Sequence, residues 1–195
     1  MEYSRITSDD IPQIIDYTQK FLTNGEEIRE EIELSVEEGN YFGIKATDGN
    51  KIVGFLTIKR GVQFTVPHPG LEREIRRITN PGCVYFVDGI WVSEDYRHHG
   101  ISCGLVKRTG SFVKQLGGDY IFIEEWIYPD GHIPVKDVIS KWGIPVYEKE
   151  VPLFYKDMKK YGMTCPICGS NCKCGALIRL YSVKDIAEEG STGEN

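Results

Sequence analysis

Apolar and polar positions recur along this chain with two different periods, which predicts a fold built from both strands and helices. Near-continuous apolar runs at 83–92 and 120–123 predict two strands that are buried on both faces. Between them, apolar residues of the segment 101–116 share one side of a predicted helix, which ends at Gly117-Gly118. Together these segments predict a β-α-β unit with parallel strands at the centre of an α/β fold.

Further strands and helices flank this unit in the sequence. The Asp48-Gly49-Asn50 turn between two apolar runs is a strong hairpin signal. In chain order the flanking elements are a strand at 2–7, a helix at 11–21, an acidic helix at 26–38, hairpin strands at 41–46 and 51–58, a helix at 135–142, and strands near 146–150 and 153–157.

A long connection at 61–82 precedes the first buried strand. It contains a proline-rich stretch and then Arg73, Arg76 and Arg77 in a short helical pattern. A connection of this length inside a compact domain is usually functional or mobile. The 61–82 connection is therefore interpreted either as an insertion that binds substrate or as an ordinary surface loop, and both interpretations stay open.

Composition and charge restrict the classes of function. The chain has 195 residues, enough for one core with an appendage, and a formal net charge of −6, which argues against nucleic-acid binding. No apolar run is long enough to span a bilayer, and the N-terminal residues do not resemble a signal peptide. We expect a cytoplasmic protein without a nucleic-acid or membrane partner, and a homodimer is compatible with these properties.

Four of the six cysteines lie within ten residues, at Cys165, Cys168, Cys172 and Cys174. In a reducing compartment such a cluster indicates metal ligands, and four thiolates satisfy tetrahedral zinc. The spacing between the two pairs is shorter than in common zinc ribbons, so an iron–sulfur cluster and a reversible dithiol switch stay open. We expect a metal-binding appendage at 161–182, in which 177–181 adds an edge strand or packs against the main domain, and a disordered acidic tail at 183–195.

The segment 92–105 carries the most specific signal in the chain. It joins the first buried strand to the helix through a short basic turn with Gly100 at its centre. Free backbone N–H groups at the start of a helix, where the dipole is positive, bind anions. Gly100 allows the backbone to approach a phosphate closely, which a Cβ atom would hinder.

This turn resembles the acyl-CoA pyrophosphate loop of the GNAT acetyltransferase superfamily, Arg/Gln-x-x-Gly-x-Gly/Ala. The matching residues are Arg97, Gly100 and Ser102, and Ser102 is a mild departure because the family usually has glycine or alanine there. The resemblance covers about 1–158 and implies a GNAT domain at 1–160 that uses acetyl-CoA. The residues that it implies in cofactor binding are Ile90, Trp91, Val92, Arg97, His98, His99, Gly100, Ile101, Ser102, Cys103, Lys107 and His132.

The resemblance also implies catalytic positions. Asp88, four residues before Val92, stands where family members often have the general base, and an aspartate inside an apolar strand is costly unless partnered or functional. A structural role, in which Asp88 only bonds a neighbouring backbone, is the alternative. The tyrosine that usually serves as general acid is replaced by Ile139. The candidate substitutes are Ser140, Tyr147 and Tyr128, or the thiolate leaves without a dedicated acid.

The leading hypothesis is an N-acetyltransferase that moves an acetyl group from acetyl-CoA directly to a primary amine of a small molecule or a protein. Glu124, Glu125 and Trp126 end the second buried strand and could receive a cationic amine, although a solvated strand end is equally consistent. One alternative is a non-catalytic acyl-CoA sensor with a metal- or redox-responsive cysteine tail. Another is an adaptor that docks peptides through that tail.

Overall fold

A computed structural model describes residues 1–21, 25–169 and 171–186. These residues form one seven-stranded sheet and five α-helices, joined by short 3-10 turns. The strands are β1 (Glu2–Arg5), β2 (Phe42–Asp48), β3 (Lys51–Arg60), β4 (Val84–Val92), β5 (Tyr120–Ile127), β6 (Tyr147–Val151) and β7 (Gly175–Ser182). The helices are α1 (Ile11–Phe21), α2 (Gly25–Glu37), α3 (Pro69–Thr79), α4 (Ile101–Gln115) and α5 (Lys136–Ile139).

The sheet has the order β1-β2-β3-β4-β5-β7-β6. Every neighbouring pair is antiparallel except β4 and β5, which are parallel and are connected through α4. The predicted β-α-β unit is therefore confirmed, and the fold is the mixed α/β architecture that the periodicity indicates. No helix within the described ranges has both the length and the apolar character that a bilayer span requires.

Two apolar layers cover the two faces of the sheet. On one face, α4 and α5 pack over a core that includes Leu56, Tyr85 and Ile121. On the other face, α3 and the cysteine segment pack over Phe86 and Phe122, while α1 and α2 cover the first strands. Because β4 and β5 contribute side chains to both layers, they lie at the centre of the molecule, as their apolar runs predict.

The predicted strand at 153–157 is wrong. The backbone turns there, and Leu153 has a φ of 54°, a left-handed conformation that interrupts an extended strand. Phe154 and Tyr155 are buried in the core next to the cysteine segment, whereas Leu153 is half exposed.

The strand near 177–181 also differs from expectation, because it is not an edge strand. β7 pairs with β5 on one side and β6 on the other, and all eight of its residues are buried. The cysteine segment thus connects two strands of one sheet, while a domain boundary at residue 160 stays a prediction. Of the predicted disordered tail, Val183–Asp185 form a 3-10 turn and Ile186 is buried, and 187–195 lie outside the described residues.

Candidate active site at the divergence of two parallel strands

The central parallel strands stay together for only a short distance. Their register runs from Val84↔Tyr120 to Phe86↔Phe122, and the described structure pairs them no further. Beyond that point β4 remains bonded to β3 as far as Val92, and β5 remains bonded to β7 as far as Ile127. Because each strand is held on its outer side, a permanent gap with two exposed backbone edges opens between them.

A β-bulge places Asp88 at the start of this gap. In the β3–β4 ladder Thr57 pairs with Gly89 and Ile58 pairs with Val87, so Asp88 is the extra residue on its strand. A bulge of this kind increases the local twist and redirects a side chain. Gly89 follows the bulged residue, and the bulge lies where the pairing of β4 with β5 ends.

Asp88 is embedded in a charged network on the face covered by α2. Its carboxylate lies 3.1 Å from Lys59 Nζ and 3.4 Å from Thr57 Oγ1, and its side chain is 22% exposed. Lys59 is itself 4% exposed and contacts Glu31 of α2 at 2.7 Å. Burial raises the pKa of Asp88, and the Lys59 charge opposes this rise.

Glu124 lies on the other side of the gap from Asp88, on the same face of the sheet. Asp88 contacts Lys59, which pairs with Phe86 in the β3–β4 ladder and therefore shares its face. Glu124 contacts Tyr155, which belongs to the same apolar layer as Phe86 and Phe122. Glu124 accepts hydrogen bonds from Tyr155 Oη at 2.7 Å and from the Thr65 backbone at 3.1 Å, and burial raises its pKa.

The turn between β4 and α4 has a backbone geometry that suits the predicted anion cradle. His98 and Gly100 both adopt left-handed conformations, with φ of 64° and 75°, and Gly100 caps the helix. Left-handed residues next to a helix start aim successive N–H groups into one concavity. The first N–H groups of α4, at Ile101, Ser102 and Cys103, have no partner inside the helix and point toward the same place.

Side chains around the cradle are mostly basic. Arg97 is exposed and is held by Glu94 at 3.6 Å and by the Val92 carbonyl at 3.3 Å. The His99 Nδ1–H donates to the Arg97 carbonyl at 2.7 Å, which stabilises the turn. Lys107 is exposed two turns into the helix.

The other predicted cofactor contacts fall into two groups. Ile90, Trp91 and Val92 pair with β3, so their opposite backbone edge faces the gap. The Trp91 ring stacks on Tyr17 of α1 at 4.1 Å. His132 lies apart in an exposed turn after β5, where its N–H donates to Asp130.

The proposed general acids do not lie beside Asp88. Ser140 donates to the Lys136 carbonyl at 2.7 Å and contacts Arg179 at 3.4 Å, at the exposed end of α5. Tyr147 is on the edge strand β6, three strand positions from β4 and thus roughly 14 Å away by ordinary strand spacing. The third candidate, Tyr128, is half-buried after β5, next to His132.

Several site residues escape prediction from the sequence. Lys59 is the only cation in contact with Asp88 in the described structure. In the sequence it is distinguished only as a lysine near the end of a long apolar strand. Tyr155 lies in the segment whose strand prediction is wrong. Arg179 lies in β7, where it faces buried Glu125 at 3.3 Å and Glu148 at 2.8 Å.

The four clustered cysteines meet in space. Their Sγ atoms all lie within 4.8 Å of one another, and three of the four residues are buried. The distances from Cys174 Sγ to Cys165 Sγ and Cys168 Sγ are 3.8 and 3.5 Å. Four sulfurs at about 2.3 Å from a tetrahedral zinc ion are separated by roughly 3.8 Å, so the donor set fits zinc.

Backbone amides support this thiol cluster as in known zinc knuckles. The N–H of Cys168 donates to Cys165 Sγ, and the N–H of Cys174 donates to Cys172 Sγ, each at 3.4 Å. Such bonds stabilise thiolate charge. Burial raises the pKa of both Cys172 and Cys174, so a bound cation is what would convert these buried thiols to thiolates.

Comparison with known proteins decides the family. The model of the acetyltransferase (GNAT) family matches residues 11–132, well over half of the chain. The chain belongs to the GNAT acetyltransferase family. No curated protein sequence matches this GNAT acetyltransferase significantly.

Solved structures agree with this GNAT acetyltransferase in fold. Arabidopsis thaliana NAA60 in complex with acetyl-CoA has a TM-score of 0.64 at 13% identity, covering 94% of this chain and 98% of that one. A GNAT-family acetyltransferase from Desulfovibrio desulfuricans has a TM-score of 0.60 at 16% identity, with 93% and 98% covered. The ribosomal-protein-S18-alanine N-acetyltransferase of Escherichia coli has a TM-score of 0.58 at 12% identity, with 100% and 99% covered.

Proposed function

We propose that this GNAT acetyltransferase transfers an acetyl group from acetyl-CoA to a primary amine by direct attack. The observation that carries the proposal is the gap between the diverging strands β4 and β5. Asp88 lies where the gap begins, and the turn proposed as the anion cradle follows the end of β4. An acyl donor laid in the gap would have its phosphates at the cradle and its thioester near Asp88. The protein then has to align two reactants and manage one proton.

Donor binding is assigned to backbone groups of the gap and the cradle. The N–H groups of His98 to Cys103 would hold the pyrophosphate, with Arg97 and Lys107 adding positive charge. The edge of Ile90–Val92 that faces away from β3 offers backbone groups that can polarise the thioester carbonyl.

Asp88 is the proposed base. It accepts one proton from the substrate ammonium, and the neutral amine nitrogen then bonds to the acetyl carbon. The carbon–sulfur bond breaks to release CoA thiolate, and the nitrogen loses its second proton to solvent to give the neutral amide. Burial raises the pKa of Asp88, which favours its acting as a base, and the charge of Lys59 opposes this rise. Thr57 contacts the Asp88 carboxylate and Glu31 contacts Lys59, so both side chains are held in place. Neither Ser140 nor Tyr147 is needed in this scheme, because a thiolate can leave and take its proton from solvent.

We propose zinc as the metal of the four-cysteine site. Four sulfur donors close the coordination shell, so the ion has no open position for a catalytic water. Its contribution is therefore to stability and positioning. The compact ligand spacing does not prevent this, because the sulfur separations match a tetrahedron.

The experiment that tests the proposed function is the Asp88→Asn variant. It removes the base but keeps a side chain of the same size beside Lys59. We expect kcat for amine acetylation to fall about 100-fold or more, since general base catalysis typically contributes that much. The affinity for acetyl-CoA measured by calorimetry should stay within twofold of the wild type.

Asp119→Asn is the matched control. Asp119 lies at the closed end of the β4–β5 pair, where its carboxylate accepts a hydrogen bond from the Cys83 backbone at 2.7 Å. This variant should acetylate amines at the wild-type rate. If Asp88→Asn leaves turnover intact, the assignment of the base is wrong. If the wild type binds acetyl-CoA but acetylates no amine, the non-catalytic sensor is the better hypothesis.

A further inference from the structure

A short series of hydrogen bonds connects the cysteine site to the gap between β4 and β5. The backbone N–H of Tyr155 donates to the Cys174 carbonyl at 3.4 Å, and the Tyr155 hydroxyl donates to Glu124 at 2.7 Å. Glu124 also accepts the Thr65 backbone N–H at 3.1 Å. The series therefore runs from a metal-ligand residue to one wall of the gap and onward to the 61–68 connection.

Tyr155 depends on the cysteine segment for its position. It belongs to the turn between β6 and β7, where no strand ladder fixes the backbone of the described residues. The side chain is fully buried among Phe154, Met158 and the sulfurs of the cysteine site, and its ring stacks on Trp126 at 4.2 Å. An ion bound by the four sulfurs would fix this turn, and without it the turn has mainly apolar contacts.

Glu124 depends in turn on Tyr155. A carboxyl group in this partly buried position requires hydrogen-bond donors, and the donors to Glu124 are the Tyr155 hydroxyl and both the backbone N–H and the side chain of Thr65. Loss of one donor leaves a buried oxygen unsatisfied, which favours another side-chain orientation. Because Glu124 lies just past the last β4–β5 pair, its orientation shapes the side of the gap on which an amine acceptor would bind.

We infer that the four-cysteine metal site controls the acceptor side of the gap, with Tyr155 as the positioning residue and Glu124 as the group that binds a cationic amine. Only the amine-binding role of Glu124 rests on the proposed acetyl transfer. We expect donor binding to be independent of the metal, because the cradle belongs to α4 on one face of the sheet and the four cysteines belong to the apolar layer on the other face. The metal thereby affects binding of the amine acceptor and not binding of acetyl-CoA.

Hydrogen–deuterium exchange tests this inference without requiring turnover. The zinc-loaded protein is compared with chelator-treated protein and with zinc-loaded Tyr155→Phe, which removes only the hydroxyl. We expect the Thr65 amide to exchange at least tenfold faster in both altered samples, while the cradle at 97–103 is unchanged. Tyr181→Phe is the control, because its hydroxyl is buried on the other face of the sheet and contacts Arg179.

Steady-state kinetics with 1,4-diaminobutane as the probe form the second test. For Tyr155→Phe we expect kcat/KM for the diamine to fall about tenfold, with the KM for acetyl-CoA unchanged and one zinc ion retained per chain. Unchanged Thr65 exchange in both altered samples would overturn the inference. If the wild type does not acetylate any amine, the proposed function fails, but the exchange result still decides whether the metal site holds Glu124.

Discussion

At the scale of single residues, the site contains two kinds of residue. One aspartate and one glycine can be identified from the sequence, whereas their contact partners cannot. Asp88 and Gly100 are identified from a local pattern, because a charge in an apolar strand and a glycine at a strand–helix turn are visible in one segment. Lys59 and Tyr155 come from distant segments. Their roles depend on which strands become neighbours, and one segment of sequence does not contain that information.

Gly100 is expected to be required for binding of the acyl donor and not only for the turn. A Cβ atom at this position would meet no atom within 4 Å beyond its chain neighbours, so the space beside it is open for a phosphate. We expect Gly100→Ala to weaken acetyl-CoA binding at least tenfold in calorimetry. The left-handed φ of 75° should also cost about 1 kcal/mol of stability when alanine is forced into it.

Gly117→Ala separates these two effects. Gly117 has a φ of 74°, and a Cβ atom there also meets nothing within 4 Å, but it lies at the opposite end of α4. Both variants should lose a similar free energy of unfolding, whereas only Gly100→Ala should lose acetyl-CoA affinity. Equal affinities in the two variants would show that the cradle does not hold the phosphates.

At the scale of elements, the β4-α4-β5 unit follows directly from the periodicity, whereas the placement of β7 does not. The local pattern predicts a strand near 177–181, but its position between β5 and β6 depends on contacts with residues far away in the sequence. The same limitation explains the wrong strand at 153–157. A short apolar stretch occurs in a buried turn as well as in a strand, and only the neighbouring elements distinguish the two.

The insertion of β7 brings a buried ion pair between strands, which makes stability depend on pH. Burial raises the pKa of Glu125 to about 7, although Arg179 opposes the rise. Since this pKa is raised on folding, the stabilisation is complete below pH 4.5 and is lost as the pH rises toward 7. The loss corresponds to about 3 kcal/mol at most, from about 1.4 kcal/mol per pKa unit.

Glu125→Gln should remove this dependence. Urea unfolding between pH 5 and pH 8 should show the wild type losing stability with rising pH, whereas the variant has a flatter profile over the same range. Glu148→Gln is the matched control, since Glu148 is exposed and pairs with the same arginine at 2.8 Å. Parallel profiles for the wild type and Glu125→Gln would mean that Arg179 keeps Glu125 ionised throughout.

At the scale of the whole molecule, the cysteine site belongs to the main core. Cys165, Cys172 and Cys174 are buried in the same apolar layer as Phe86 and Phe122 of the central strands. A sequence pattern of four cysteines predicts the ligands, but it suggests an appendage because the cluster comes late in the chain. The return of β7 into the sheet is what places the cluster beneath the gap.

Metal removal should consequently destabilise the whole fold. An ion present at 1,000 times its dissociation constant stabilises a protein by about 4 kcal/mol, which for this chain length is roughly 8–16 °C in the unfolding midpoint. We expect a drop of that size when a chelator is added to the zinc-loaded protein, measured by calorimetric scanning.

Cysteine variants show whether the four sulfurs are responsible. Cys83→Ser, outside the cluster, should respond to the chelator like the wild type. Cys168→Ser removes the least buried ligand, and its unfolding midpoint should already be low and insensitive to the chelator. A chelator response that persists in Cys168→Ser would place the metal elsewhere.

The central claim is that the gap between β4 and β5 brings acetyl-CoA and a primary amine together for acetyl transfer. The most direct measurement incubates the zinc-loaded protein with ¹³C-acetyl-CoA and a panel of primary amines and follows both substrates by mass spectrometry. We predict an N-acetylated amine carrying the label, formed in equal amount to free CoA and strongly reduced in Asp88→Asn. Failure of the wild-type protein to bind acetyl-CoA at millimolar concentration, or to label any amine in the panel, would contradict the account.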